Sequence, residues 1–454
     1  MEVSSQPSDF SVEALRKVYK EKVQGSSARG RDGVSARNLN DSQVERLVQA
    51  TSAGLMDGTY RPSPYREFLK LKGSGKAPRV ISIPTVRDRL ALAAVTAHLR
   101  TNIPEISLRT PQNIVSDIKK SISGNEYRDF IRSDIVSFYP SISHLAVRRK
   151  LAQYGISSPI VEIIMRAIEN PTLPDGAPKG AANFADVGVP AGTPLANILG
   201  EVVLHDFDHS VASIPGAAFF RYVDDIVVLS CYGKRGIVKQ AIDSNLRLVG
   251  LKSHPKTSRD KHSAGIIDRD SFEYLGYTFE GGKVTVGKFR YANLINNLAR
   301  PLTMLRRSHA EGARDLDRIQ DRAEWWLNFR ITGCVGDGKR RGWLPYYSQI
   351  DDIGLLHHLD KVVENLISRL PSDRAVRPKS FLKAYAYTHD PRRDPGQYII
   401  NFDKVKTTQE KRRLLQTAST YHNIPSRSED VEKLYRRFVS FACAELEADV
   451  GRTS

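Results

Sequence analysis

The 454-residue sequence predicts an α+β fold with a mostly helical C-terminal region. Three observations predict it. From residue 130 the patterns run strand, helix, hairpin, helix, hairpin. Within FFRYVDDIVVLS (219–230), two β-rich apolar runs flank the adjacent carboxylates Asp224 and Asp225. Beyond about residue 288 the apolar spacing becomes helical and arginine is frequent.

Taken in order, SVEALRKVYKEKVQ (11–24) has helical spacing, and SSARGRDGVSARNL (26–39) is a Gly/Ser/Arg loop. DSQVERLVQATSAGL (41–55) is a second helix. Residues 66–84 read as a hairpin, REFLKLK and RVISIP about a GSGKAP turn. RDRLALAAVTAHLR (87–100) is a helix with an apolar face, and FIRSDIVSFYPSI (130–142) begins as a strand. PLANILGEVVLHDFDHSV (194–211) and KRGIVKQAIDSNLRLVGL (234–251) are helical. FEYLGYTFEGGKVTV (272–286) is a hairpin turning at Gly281-Gly282. Proline and charge mark a weak boundary at PSDRAVRPKS (371–380). No fixed-period repeat is evident.

The formal charge is +17, with a pI near 9.7, which points to a polyanionic partner, most simply nucleic acid. Cys231, Cys334 and Cys443 are widely spaced and form no CxxC pair, which argues against a zinc site or a disulfide framework and fits a reducing compartment. No signal pattern and no long apolar run is present, so the expectation is a soluble, cytoplasmic protein without a membrane partner.

Adjacent carboxylates amid a core strand repel each other and lose hydration. Asp134, in a second strand, would join them if the two segments are sheet neighbours. Divalent cations relieve such repulsion: Mg²⁺ accepts carboxylate oxygens and keeps sites for water and phosphate. Two ions about 3.5–4 Å apart can hold both oxygens of an in-line phosphoryl transfer. A polar β-turn is the plainer reading of Asp224-Asp225 taken alone.

The motifs around the pair decide between them. RYVDDIVVL resembles the YxDD motif of reverse transcriptases, and DIVSFYPSI their first aspartate motif. RVISIPTVRDRL resembles the fingers motif, and GRDGVSARNL the N-terminal segment of the group II intron type. GLKSHPKTS resembles the lysine motif, and FEYLGYTF the primer-grip hairpin. The six stand in family order over residues 30–280.

The resemblance implies a right-hand polymerase. Residues 1–130 would form an N-terminal segment and fingers, 131–287 the palm (with helices at 145–210), 288–370 a helical thumb and 371–454 a helical extension. It implies an RNA template, a DNA product, dNTP substrates and two Mg²⁺ ions per site, with Mn²⁺ as an alternative. Asp134, Asp224, Asp225 and the carbonyl of Ile135 would be metal ligands. Arg79 and Lys70 would contact the triphosphate by charge-assisted bonds. Lys256 would protonate or clamp the leaving pyrophosphate. Tyr139 would sit at the sugar gate, with Phe138 facing the core; a different strand register would exchange the two.

VGVPAGTPLANIL (187–199) departs from the family's Pro-Gln-Gly-Ser-Pro: Ala191 replaces glutamine and Thr193 serine. Gly192 still permits close approach of backbone to nucleotide or template. The lost amide leaves open a template-independent or protein-primed polymerase. A catalytically idle RNA-binding palm is a further alternative, against which the intact aspartates count. Residues 321–367, basic and aromatic, resemble the enlarged thumb of defence-associated bacterial reverse transcriptases. That branch implies a dedicated noncoding RNA, a partner protein from the same operon and a role in antiphage defence. Arg300, Arg306, Arg307, Arg314, Arg318 and Arg322 recur at helical spacings and, with Arg340 and Arg341, would track a phosphate backbone. Trp325, Trp326, Trp343, Tyr346 and Tyr347 either pack the thumb core or stack on bases. Further basic residues, among them Arg374, Arg377, Lys379, Lys411, Arg412 and Arg413, extend this surface.

Overall fold

The computed structural model describes residues 7–71, 77–106, 109–178, 185–258, 260–371, 375–390, 392, 398–421 and 423–450. Most of the expected GSGKAP turn, and Arg374, lie outside them. The chain divides into two units, residues 1–110 with 126–264, and residues 111–125 with 265–454.

The first unit carries strands β1 (Tyr65–Lys70), β2 (Arg79–Ile83), β3 (Asp129–Asp134), β4 (Thr172–Leu173), β5 (Ala217–Tyr222), β6 (Asp225–Ser230) and the start of β7 (His262–Ile266). One sheet has the order β2-β1-β4 and the other β5-β6-β3-β7. In the second, β6 lies between antiparallel β5 and β3, so its backbone is paired on both edges. Ile226, Val227, Val228 and Leu229 are all fully buried. Such a run buries both faces of a central strand rather than alternating. Ile226 and Val228 join the main core, which also takes the apolar faces of Val86–Asn102, Leu195–Ala212 and Arg235–Leu248.

The loop at 26–39 is tied to the next motif by packing. A Cβ on Gly30 would lie 2.6 Å from Thr85 Cα, so only glycine fits. Arg89 reaches back to Ser26 Oγ at 2.7 Å. Asp88 is buried and accepts from Tyr60 and Thr85 hydroxyls and from the Ser63 amide. The Asp-Arg of RVISIPTVRDRL thus anchors the N-terminal segment.

In the second unit, the expected hairpin over 272–286 is a three-stranded meander of β8 (Phe272–Tyr274), β9 (Tyr277–Glu280) and β10 (Lys283–Val286). An additional turn at Leu275-Gly276, both at positive φ, divides its first arm. The remainder is helical as expected, with Lys288–Ala310, Leu316–Thr332, Ile353–Ile367, Phe381–His389, Thr408–Ala418 and Ser428–Val450. A small sheet interrupts it: β11 (Cys334–Gly336) pairs with β12 (Lys339–Arg341) and with β13 (Ile400–Asn401). The boundary expected at 371–380 falls inside this unit, where Asp360 accepts from Ser380 Oγ and the Phe381 amide, both at 2.6 Å. Of the aromatics, Trp343 and Tyr347 are core, Trp325 and Trp326 are half-buried against it, and Trp325 stacks on Phe329 with centroids 4.7 Å apart.

Candidate active site

Antiparallel pairing sets Asp134 opposite Asp225 across β3 and β6, and Tyr222 opposite Asp225 across β5 and β6. Val223 and Asp224 form the two-residue loop of the β5–β6 hairpin. Tight hairpins favour positive φ in the loop. Val223 takes it at 57°, where a β-branched residue is strained. The loop is fastened twice: the Ile135 amide donates to the Asp224 carbonyl at 3.0 Å, and Arg221 Nη1 donates to the Val223 carbonyl at 2.9 Å.

Arg221 was not marked by the motif reading, and it organises this end of the hairpin. Its side chain is buried and forks onto Asp208 (2.7 and 2.5 Å) and Glu201 (3.0 and 2.5 Å) of the helix Leu195–Ala212. Burial works against the guanidinium charge and the two carboxylates outweigh it, so its pKa is raised. The seven-residue spacing of Glu201 and Asp208 on one helix face was a legible signal.

The three aspartates are coupled. Asp225 is pushed up to about 7, first by burial and then by Asp224, with Arg132 Nη2 opposing from 3.8 Å. Asp224 is raised by burial and by Asp134. Asp134 is buried and pairs with Lys261 Nζ; His254 Nε2 lies 3.5 Å from its other oxygen. Among the described residues no three His, Cys, Asp or Glu side chains are closed around one point as a ligand set. The donor chemistry nonetheless fits a hard divalent cation. Clustered carboxylate oxygens whose burial and mutual repulsion raise their pKa values lack positive charge, and Lys261 supplies part of it here.

Lys261 was missed because no motif marks it; it directly precedes β7, which lies beside β3 in the sheet. Lys256 is exposed in the turn after His254. Ile135 is buried and bridges to Ser253.

Phe138 is buried, with its ring against Gly200, where a Cβ would meet it at 2.9 Å. Tyr139 is half-buried and donates to Asn197 Oδ1. Its pKa is raised by burial, then by Asp224 and Glu201, with Arg79 opposing. Arg79, Tyr139 and Asp224 therefore share one electrostatic environment. Lys70, exposed, is the register partner of Arg79 across β1 and β2. A cavity of about 200 Å³ lies beside the Arg221 cluster, lined by Asn197, Glu201, Asp208, Arg221, Tyr222 and Val223 among others.

Gly192 lies against strand β2. At φ +92° a Cβ would stand 2.6 Å from Ile81 Cγ2, and the Ala191 carbonyl accepts from the Ser82 amide at 2.7 Å. The close approach is to strand β2. In the second unit, Arg306, Arg307 and Arg314 are exposed, Arg307 pairing with Glu311 at 2.7 Å. Arg340 and Arg341 are half-buried and make internal contacts. Arg340 donates to the Tyr387 and Thr388 carbonyls and Arg341 to Glu447 at 2.6 Å, which holds the small sheet to its neighbours.

Residues 70–279 match the family model described as reverse transcriptase (RNA-dependent DNA polymerase). The chain is similar to the group II intron-encoded protein LtrA of Lactococcus lactis subsp. cremoris, 23% identical over 215 residues, covering 44% of this chain and 33% of that protein. It is also similar to protein YkfC of Escherichia coli (strain K12), 23% identical over 196 residues, covering 40% and 50%. The chain thus spans a third to a half of the length of these relatives. Solved structures that match include apo telomerase from Candida tropicalis, truncated from its C-terminal domain, at TM-score 0.37 and 13% identity over 50% of this chain and 56% of that one. Telomerase from Candida albicans in complex with a TWJ fragment of telomeric RNA matches at TM-score 0.39 and 11% identity, over 73% and 67%.

Proposed function

We propose, from the match of residues 70–279 to the reverse transcriptase family model, that the chain is an RNA-directed DNA polymerase that adds dNTPs to a primer. The observation that carries this reading is the pairing of Asp134 with Asp225, with Asp224 in the adjoining loop. In this reading Asp134, Asp224, Asp225 and the Ile135 carbonyl would hold Mg²⁺ or Mn²⁺. Two such ions, when bound, would clamp the attacking and leaving oxygens of in-line transfer. Arg79 and Lys70 bind the triphosphate, and Lys256 serves the leaving pyrophosphate. Tyr139 lies under the sugar and disfavours a 2′-hydroxyl. Arg221, through Glu201 and Asp208, fixes the hairpin that presents Asp224. Residues 131–287 are the palm in this scheme.

The net charge of +17 supports lasting association with RNA beyond a transient template, as a dedicated noncoding RNA would provide. The resemblance of residues 321–367 supports the defence-associated branch. Primer extension with and without an RNA template tests the activity. Template-dependent products of defined sequence are expected. Products of equal yield without template would assign a template-independent polymerase, which Ala191 leaves open, and no product in either arm would assign an idle RNA-binding palm.

A further inference from the structure

In the second unit, the helices Lys288–Ala310, Leu316–Thr332, Thr408–Ala418 and Ser428–Val450 line a cavity of about 450 Å³. That volume is ordinary for a pocket that takes one ring system with its substituents. The wall is apolar and aromatic. Trp326 lies edge-on to Phe438 (6.2 Å, 68°) and to Phe441 (6.0 Å, 77°), and its indole N–H is taken by the Ala418 carbonyl at 3.0 Å. The indole N–H is therefore already committed, and Trp326 has only its ring to offer a ligand. At its mouth Met304 is 54% and Phe441 56% exposed, large apolar groups left in water.

The charge at this mouth is unbalanced. Glu445 is the single carboxylate among the described lining residues. It is committed to Arg330 at 2.9 Å and stands 3.9 Å from Arg300, whose side chain is 67% exposed. Arg322 is half-buried and forms no hydrogen bond or ion pair among the described residues. Burial and the nearby Arg318 push its pKa down from the ordinary arginine range. Arginine stays charged regardless, so the cavity holds a partly desolvated cation that no described residue pairs with. A ligand with a flat apolar body and an adjoining anion answers both features. A forked guanidinium suits phosphate, and aromatic rings suit a base.

We propose that this cavity receives an unpaired nucleobase of a single-stranded RNA, with Arg322 and Arg300 taking the flanking phosphates. The choice of RNA as ligand class rests on the polymerase reading above and on the chain's charge of +17.

The test is fluorescence titration of the full chain with a short single-stranded RNA carrying 2-aminopurine, over a range of salt. Wild type is compared with Arg322→Gln and with Met304→Glu. The second places a repelling charge at the mouth on an exposed side chain that the fold does not need. Each variant is expected to weaken binding about tenfold. Arg322→Gln is expected to flatten the log–log salt slope by about 0.7. Duplex RNA is expected to bind all three proteins alike, and thermal melts to coincide. Wild-type affinity in both variants would overturn the proposal. So would loss of a fluorescent fatty-acid anion from both variants with RNA binding unchanged, which assigns the cavity to an amphiphile. Primer extension on the same preparations separates the two readings. Extension with unaltered RNA affinity in both variants removes the cavity proposal alone. Absence of extension with variant-sensitive RNA binding removes the polymerase and leaves the cavity.

Discussion

Phe138 and Tyr139 are neighbours in sequence with opposite fates, because the short turn after β3 sends one ring inward and leaves the other beside Asp224. Tyr139→Ala should raise the ratio of ribonucleotide to deoxynucleotide catalytic efficiency with little loss of stability. Phe138→Ala should instead lower stability by about 3–5 kcal/mol, as for a buried ring. Kinetics with both sugar types and urea unfolding of each variant check the pair. His262 gives a prediction in pH. It is buried on β7, its Nδ1 has no hydrogen-bond partner among the described residues, and burial followed by Lys239 and Lys256 lowers its pKa. Folded His262 therefore binds fewer protons than the unfolded residue, whose pKa is about 6.5. Its contribution to stability is present above that pH and lost as pH falls through it. His262→Phe should flatten the decline in urea midpoint between about pH 7.5 and about pH 5.5 (roughly one unit either side of the unfolded value).

At the scale of elements, the β5–β6 hairpin is the part of the site best legible in the sequence. Its apolar runs specify strands, and two aspartates between them specify a turn. The sheet order then makes the neighbour of Asp225 the aspartate of the other motif. What held the hairpin in place was less legible. Arg221 reads as an alternating surface residue until the helix bearing Glu201 and Asp208 is laid against β5. Arg221→Gln should destabilise the chain by about 3 kcal/mol, since it leaves two carboxylates facing an uncharged amide. It should lower kcat more than it raises KM, because the strained Val223 turn loses its fastening while the nucleotide contacts persist. Stopped-flow incorporation and chemical unfolding measure the two effects. At Gly192 the motif marks a close approach, and the partner within the fold, strand β2, becomes visible only in the structure. The small sheet was invisible for another reason. Its strands have two or three residues, and β13 pairs with β11 from more than sixty positions away, too short and too distant for periodicity to register.

On the scale of the whole molecule, the positive charge is distributed but not equally available. Arg340 and Arg341 read as a basic pair and serve as struts, whereas Arg306, Arg307 and Arg314 stay exposed. RNA affinity should fall with salt at a log–log slope near −0.7 per phosphate contact on single strands. Arg306→Gln combined with Arg314→Gln should flatten that slope, and Arg340→Gln should leave it unchanged while lowering the melting temperature. Removing residues after 370 would strip Phe402, Leu415, Phe438 and Leu446 from a core shared with Phe329 and Cys334, so the extension is part of the second unit rather than an appendage.

The measurement that bears most directly on the central claim is single-turnover dNTP incorporation on an RNA template in Mg²⁺, by wild type and by Asp224→Asn. The substitution keeps the size of the side chain and removes its charge. With melting temperature and primer–template affinity unchanged, the rate should fall by about a thousandfold, ~4 kcal/mol of transition-state stabilisation. Equal rates for the two proteins would contradict a polymerase site built on Asp134, Asp224 and Asp225.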